Sequence, residues 1–383
     1  MTDLEKELNN LVTATVEDEG YKWAQQWIEK RGKVAGILSP YVPVEVVWAA
    51  GLLPWRIGGD RKGIIDLASH YRPLRSCPKD SLILERVLKG ELDLLDVVVA
   101  TDWDRDLLRL CDSWGSLGKD TSFQVLFMPK TTRSGDYAKF SEETVRLKKT
   151  LEDVTCEAIA DEALSRAIRL YDRVRRAVHR LYDLRKLDVP PVSGAEVLGI
   201  TLSGLAMPPD RFLKELESLL ANLNGRKPAL KSFQPRLIVS SDWLDDPRFI
   251  QLIEDLGCLV AMDDLDTGSR FFWGEVGEPK SDPVAALSQH YLNRPACPPQ
   301  VDWARQVAQL ATWVKEFRID GVVELALVQS PARGFRTPYL RRAMENLRIP
   351  FISVEREYCF ASVGQLGNRI EPFIEMLRER KGG

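Results

Sequence analysis

Short β-branched apolar runs recur along the chain, and helical spacing follows most of them. The runs fall at 33–38, 52–57, 95–101, 237–240, 258–262, 321–328 and 350–354. Runs this short, without polar alternation and bounded by Gly or Pro, read as strands buried on both faces, the pattern of parallel sheets covered by helices. Segments 44–50, 80–89, 104–114, 246–256 and 339–346 instead space their apolar residues as helices do. The alternation predicts an α/β protein built from two doubly wound, flavodoxin- or Rossmann-like parallel sheets.

Further helices belong to this reading. Residues 2–31 read as one helix with Trp23 and Trp27 on one side, and a closing helix covers 365–378. Residues 141–187 are charged and amphipathic, with a long helix over 163–184, and Asp188-Val189-Pro190-Pro191 breaks them. The chain of 383 residues is long enough for two cores. The expected domains are therefore 1–190, with a helical extension, and 191–383. No repeat of the kind that marks solenoids is visible, although the two halves can be one fold used twice.

Composition removes several functions. Charged residues make up 28% and the net charge is −3, so no basic field is present to hold nucleic acid. No apolar run reaches the roughly 18 residues of a membrane span, and the start, MTDLEKELNN, is polar and acidic. A cytoplasmic chain with no membrane partner is the expectation. Six cysteines, at 77, 111, 156, 258, 297 and 359, form no CxxC pair, against a zinc ribbon or a ferredoxin-like run. The chain has no P-loop to hydrolyse ATP, no dinucleotide-binding glycine pattern and no nucleophile elbow.

In open α/β sheets, ligands bind at the carboxyl ends of the strands. The loops after Leu38, Thr101, Met262 and Val328 are thus the places for chemistry. They hold Ser39, Asp102, Asp104, Asp263, Asp264 and Ser330.

Several of these loops form a familiar series. Ser39-Pro40-Tyr41-Val42-Pro43-Val44-Glu45, followed by Ala49-Ala50-Gly51-Leu52-Leu53-Pro54, resembles a segment of 2-hydroxyacyl-CoA dehydratase and benzoyl-CoA reductase subunits. Cys77 with Gly90-Glu91-Leu92-Asp93, Asp263-Asp264-Leu265 with Ser269-Arg270, and Asp320-Gly321-Val322-Val323 with Gly364-Gln365-Leu366 and Arg369 are similar to later elements, in the family's order. The resemblance spans most of the chain.

It implies subunits that work in pairs, each typically holding one [4Fe-4S] cluster through three cysteines. A separate ATP-hydrolysing iron–sulfur activator injects a low-potential electron, and the pair reduces an acyl-CoA. Cys77 falls on the first ligand position. The second falls on Asp104 or its neighbour Trp103, and the third on Ser330. One thiolate with a carboxylate and a hydroxyl is a poor substitute for three soft ligands. The implied arrangement places the cluster wholly or mainly in a homologous partner subunit, with Cys111 and Cys297 as stand-in ligands here.

Each further candidate has two readings. Ser39 falls where the family places a small polar residue beside the substrate carbonyl. Glu45 is either catalytic or a carboxylate at a helix N-terminus. Asp263, Asp264 and Arg270 contact substrate or pair with one another. Arg56, Arg61, Lys62, Arg72 and Arg75 bind CoA phosphates or form a solvated face. Phe271-Phe272-Trp273-Gly274 lines an acyl pocket, with a lean toward benzoyl-CoA-reductase-like chemistry, or packs as core. Three functions stay open: a subunit of an acyl-CoA-reducing complex, a cluster-free scaffold for a catalytic relative, and a small-molecule or acyl-CoA-binding protein on the same fold.

Overall fold

The structure is a computed structural model. It describes residues 3–13, 19–73, 75–102, 104–118, 121–223, 226, 235–278, 282–297, 302–330, 333–361 and 363–382. The first half runs α1 (Asp3–Thr13), α2 (Glu19–Glu29), β1 (Lys33–Ile37), α3 (Val44–Ala49), β2 (Leu52–Arg56), α4 (Pro78–Leu88), β3 (Val97–Thr101), α5 (Arg105–Leu117) and β4 (Ser122–Leu126). Four helices follow: α6 (Ser134–Thr155), α7 (Asp161–Leu184), α8 (Gly194–Gly204) and α9 (Pro209–Asn222). The second half runs β5 (Arg236–Ser240), α10 (Arg248–Asp255), β6 (Leu259–Asp264), α11 (Ser269–Phe272), α12 (Pro283–Asn293) and α13 (Trp303–Glu316). It ends with β7 (Gly321–Leu327), α14 (Arg333–Asn346), β8 (Phe351–Arg356) and α15 (Val363–Gly382).

Two four-stranded parallel sheets result, ordered β2-β1-β3-β4 and β6-β5-β7-β8. The second order is the first with four added to each strand number, so the same winding is used twice. The expected α/β class with two doubly wound sheets holds. Strands β1, β2, β3, β5 and β7 are buried almost throughout, which is why they read as continuous apolar runs. The edge strand β4 begins at exposed Ser122 and carries Gln124, so its sequence lacks that signature.

A boundary at residue 190 separates the sheets but not the cores. Helix α12 from the second half packs on α6, and its Leu287, Tyr291 and Leu292 share one buried cluster with Ala35, Ile37, Val97 and Val99 of the first sheet. Conversely, Leu8 and Leu11 of α1 join Ile200, Phe212 and Leu216 of α8 and α9 in the core of the second half. Each half thus covers part of the other.

Two local expectations change. Residues 2–31 form two helices, not one: α1 packs on α8 and α9, whereas α2 packs on β1 and β2. The join at 14–18 lies outside the described residues. Asp263 and Asp264 are the last residues of β6 rather than the loop beyond it, because Tyr182, Ser240, Ser269, Arg270 and Arg336 satisfy their carboxylates inside the protein. Among the described residues, no helix is long and apolar enough to cross a membrane.

Candidate active site between the two sheets

The carboxyl ends of the two sheets face each other. Past β2, the Gly59 amide donates to the Tyr358 hydroxyl beyond β8 at 2.9 Å, and that hydroxyl donates to Asp245 at 2.5 Å. Arg56, the last residue of β2, pairs with Asp266 beyond β6 at 3.1 Å. Cys77 packs with Leu327 at the end of β7, with Trp243 beyond β5 and with Tyr358. The Arg56 guanidinium and the Lys79 ammonium each lie 5.0 Å from the centre of the Trp243 ring, so two cations flank one indole between the lobes.

Ser39 follows β1 and is fully buried. Its Oγ accepts from Thr101, the last residue of β3, at 2.7 Å and from the Tyr41 amide at 3.3 Å. The Ser39 and Thr101 hydroxyls share one hydrogen bond, which leaves one of their two protons without an acceptor among the described residues. The Tyr41 hydroxyl accepts from the Cys297 amide at 3.0 Å, which ties this loop to the chain after α12.

Arg56 is 7% exposed, and its Nε and Nη1 have no protein partner. The Oδ1 of Asp266 and the Nη1 of Arg270 are likewise unpartnered. Buried polar atoms are nearly always hydrogen-bonded, so this interlobe set of orphaned donors and one orphaned acceptor is the place where a polar partner is missing. Arg270 spends its other donors on Asp264, at 2.6 Å through Nε, and on the Ser241 carbonyl at 3.0 Å. Burial opposes ionisation of Asp264, but Arg270 and Arg336 outweigh it and hold the carboxyl at about 2. Asp263 goes the other way. Burial raises it, and its carboxylate secures the turn to α11 through the Ser269 amide at 2.9 Å and the Tyr182 hydroxyl.

Glu45 is fully buried on α3, where it accepts from Arg175 and from the Tyr291 hydroxyl at 2.8 Å. It sits among internal partners rather than at the sheet ends. The basic loop residues do not converge either: Arg61 donates to the Asp245 carbonyl, Arg72 to the Asp106 carbonyl at 3.1 Å, while Lys62 and Arg75 are exposed. Phe271 and Phe272 belong to the core, and Trp273 packs edge-on to Trp313 and Tyr182.

Comparison with known proteins decides the family. The family described as 2-hydroxyglutaryl-CoA dehydratase, D-component, matches residues 40–377. This chain belongs to that family. It is 28% identical over 289 residues to one of the benzoyl-CoA reductase subunits of Thauera aromatica, covering 73% of this chain and 74% of the relative. It is 24% identical to the beta subunit of (R)-2-hydroxyglutaryl-CoA dehydratase of Acidaminococcus fermentans, covering 90% and 92%. It is 22% identical to the (R)-phenyllactyl-CoA dehydratase beta subunit of Clostridium sporogenes, covering 93% and 95%.

In this D-component chain the three positions that the sequence resemblance implied as cluster ligands sit on three loops. Cys77 precedes α4, and burial, followed by the charge of Asp80, pushes its thiol upward. Asp104 caps α5, accepting from the Leu107 amide at 2.9 Å; burial and Asp80 raise its carboxyl to about 6. Ser330 donates to Asp242 at 2.5 Å. The stand-ins stand on other elements: Cys111 lies within α5 and Cys297 follows α12. Among the described residues, no group of three or more His, Cys, Asp or Glu is gathered to hold a metal ion. A single thiol, a capping carboxylate and a hydrogen-bonded hydroxyl do not fit an iron–sulfur cluster, which is held by soft thiolates. Trp103 lies outside the described residues.

Sequence reasoning passed over Lys79, Thr101, Trp243, Asp266 and Tyr358. All but Lys79 end a strand or follow one closely, so the rule about carboxyl ends reaches them; nothing in the sequence marks the interlobe contacts that select them.

Proposed function

We propose that this D-component chain is one subunit of an acyl-CoA-reducing complex of the 2-hydroxyacyl-CoA dehydratase or benzoyl-CoA reductase type. It shares a substrate cleft with a homologous cluster-bearing subunit, which an ATP-dependent iron–sulfur activator supplies with electrons. The orphaned donors of Arg56 between the sheet ends carry this reading, with buried Ser39 two residues past Ile37, the register partner of Arg56. Ser39 has a proton to give to the thioester carbonyl. Arg56 and Arg270 offer fixed N–H groups to the polar part of the substrate, and burial strengthens such contacts by excluding water. Asp264 and Asp263 act through Arg270 and the α11 turn, holding that wall in place. Membership of the family, together with a ligand set that does not fit a cluster, supports a redox centre held by the partner.

The test is anaerobic purification, alone and with the native partners, with iron and acid-labile sulfide counted per chain. An iron-free chain that copurifies with an iron-bearing homologous subunit is the expected result. About four irons on the isolated chain, lost in Cys77→Ala, would place a cluster here and overturn the assignment. An iron-free chain without a partner would leave a binding protein on a reused fold.

A further inference from the structure

A sheet edge is a row of unpaired backbone groups, and folded proteins ordinarily cover it. Three of the four edges here are covered from within. On β2, Pro54 has no amide, and the Arg56 amide donates to the Leu205 carbonyl at 2.9 Å. On β4, the Val125 carbonyl accepts from Arg146 at 2.7 Å, and the Phe127 amide just beyond donates to Glu143 at 3.0 Å. On β6, the Val260 amide donates to Glu254 at 3.2 Å and its carbonyl accepts from Arg185.

Strand β8 differs. The Val322 amide in β7 and the Val328 amide beyond it donate to the Pro350 and Arg356 carbonyls at 2.9 and 3.0 Å. Even-numbered residues thus turn their backbone toward β7, and Phe351, Ser353 and Glu355 turn theirs outward. The outward groups of Phe351 and Ser353 have no partner among the described residues. Both faces of the strand are closed. Phe351 packs on the cluster that holds Leu340 and Met344 of α14, while Ile352 and Val354 join Ile370 and Ile374 of α15. Only the edge is open, and Phe351, Ile352 and Ser353 are each half-buried along it.

Charge is sorted along this edge. Arg348 stands before the strand, and the Arg341 guanidinium lies 5.4 Å from the centre of the Phe351 ring, so this end is basic. Glu355 and Glu357 make the other end acidic, and small, neutral Ser353 is the midpoint. All four charged residues are exposed. Arg342 and Glu345, also exposed near the end of α14, cancel each other. A strand polarised in this way complements a copy of itself that runs antiparallel. Pairing centred on Ser353 sets Phe351, with Arg341 over it, against Glu355 of the copy, and brings Arg348 beside Glu357 of the copy. Parallel pairing would oppose like charges.

We propose that β8 pairs edge to edge with β8 of a second copy of this chain, antiparallel about Ser353, joining two four-stranded sheets into one continuous sheet. The interface is isologous, so each contact is made twice. The inference stands whether or not the chain takes part in acyl-CoA reduction.

Sedimentation equilibrium of the whole chain is the test, and a dimer that dissociates on dilution is expected. Ser353→Pro removes an amide that points outward and none that pairs with β7, so the variant keeps its far-UV spectrum and sediments as a monomer. Arg348→Glu and Glu357→Arg each oppose like charges twice across the two-fold axis, and each should weaken the dimer about tenfold or more. Mixed in equal amounts, these two variants restore opposite charges and form a dimer again. That recovery follows from the antiparallel register, and it carries the test where Ser353→Pro does not fold. A chain that stays monomeric up to the limit of its solubility overturns the proposal, whether or not another protein protects the β8 amides from exchange. An unchanged dimer in folded Ser353→Pro, or no recovery in the mixture, overturns it as well.

Discussion

Glu45 and Arg175 form an ion pair almost without solvent contact, with side-chain exposures of 0% and 3%, and it ties α3 to α7. Asp172 also pairs with Arg175 at 2.9 Å and accepts from the Val276 and Gly277 amides at 2.9 Å each. The pair therefore anchors the segment that leads into α12. Glu45→Ala removes one of the two carboxylates on a buried guanidinium, and with Asp172 still paired the cost falls at or below the low end of the about 3–5 kcal/mol of a broken buried pair. Urea denaturation should show a lower midpoint in Glu45→Ala and in Arg175→Met, with the double variant less destabilised than the two losses added.

Asp104 predicts a pH dependence. Its carboxyl is raised from 3.8 to about 6 in the folded protein, chiefly by burial, so the native state binds its proton more tightly than the unfolded chain does. Its contribution to stability is accordingly present below about pH 4 and is lost as the pH rises through 6. Asp104→Asn keeps a capping oxygen and removes the titration. The variant should gain on the wild type between pH 4 and 6, by on the order of 2 kcal/mol. Equal melting temperatures at pH 4 and 7 for the two proteins would refute this.

Restoring soft ligands should restore metal binding if their replacement is what removed it. Asp104→Cys with Ser330→Cys, beside native Cys77, should take up iron and sulfide on anaerobic reconstitution, with broad visible absorbance that the wild type lacks. Loss of the Asp104 cap should cost about 1 kcal/mol of stability.

The Tyr358 hydroxyl joins the lobes through Gly59 and Asp245. Tyr358→Phe removes both bonds and keeps the ring. A loss of about 1–3 kcal/mol is expected. Hydrogen exchange at the Gly59 amide should accelerate more than exchange in β1 or β3, because the change weakens the interlobe seam and leaves the sheets intact.

The strands were legible because burial on both faces demands continuous apolar side chains, as in Val97-Val98-Val99-Ala100. Ser122–Leu126 was not legible, since an edge strand is half solvated and carries Ser and Gln. The loops holding Ser39, Asp104 and Ser330 were legible by position alone. What each side chain does there was not: Asp104 turns to its own helix, Ser330 to Asp242, and Glu45 to Arg175 and Tyr291.

By itself, the sequence determined the class of fold, the use of two parallel sheets, the order of the loops at their carboxyl ends and the family. These follow from local periodicity and from residue types at set spacings, which a linear chain records directly. The tertiary structure alone decided that α1 and α12 each cross to cover the other half, that Arg56 meets Asp266 and Trp243, and that two buried arginines keep free donors. Those facts depend on which distant groups share one buried volume, and that is settled by the summed packing and charge pairing of the whole molecule.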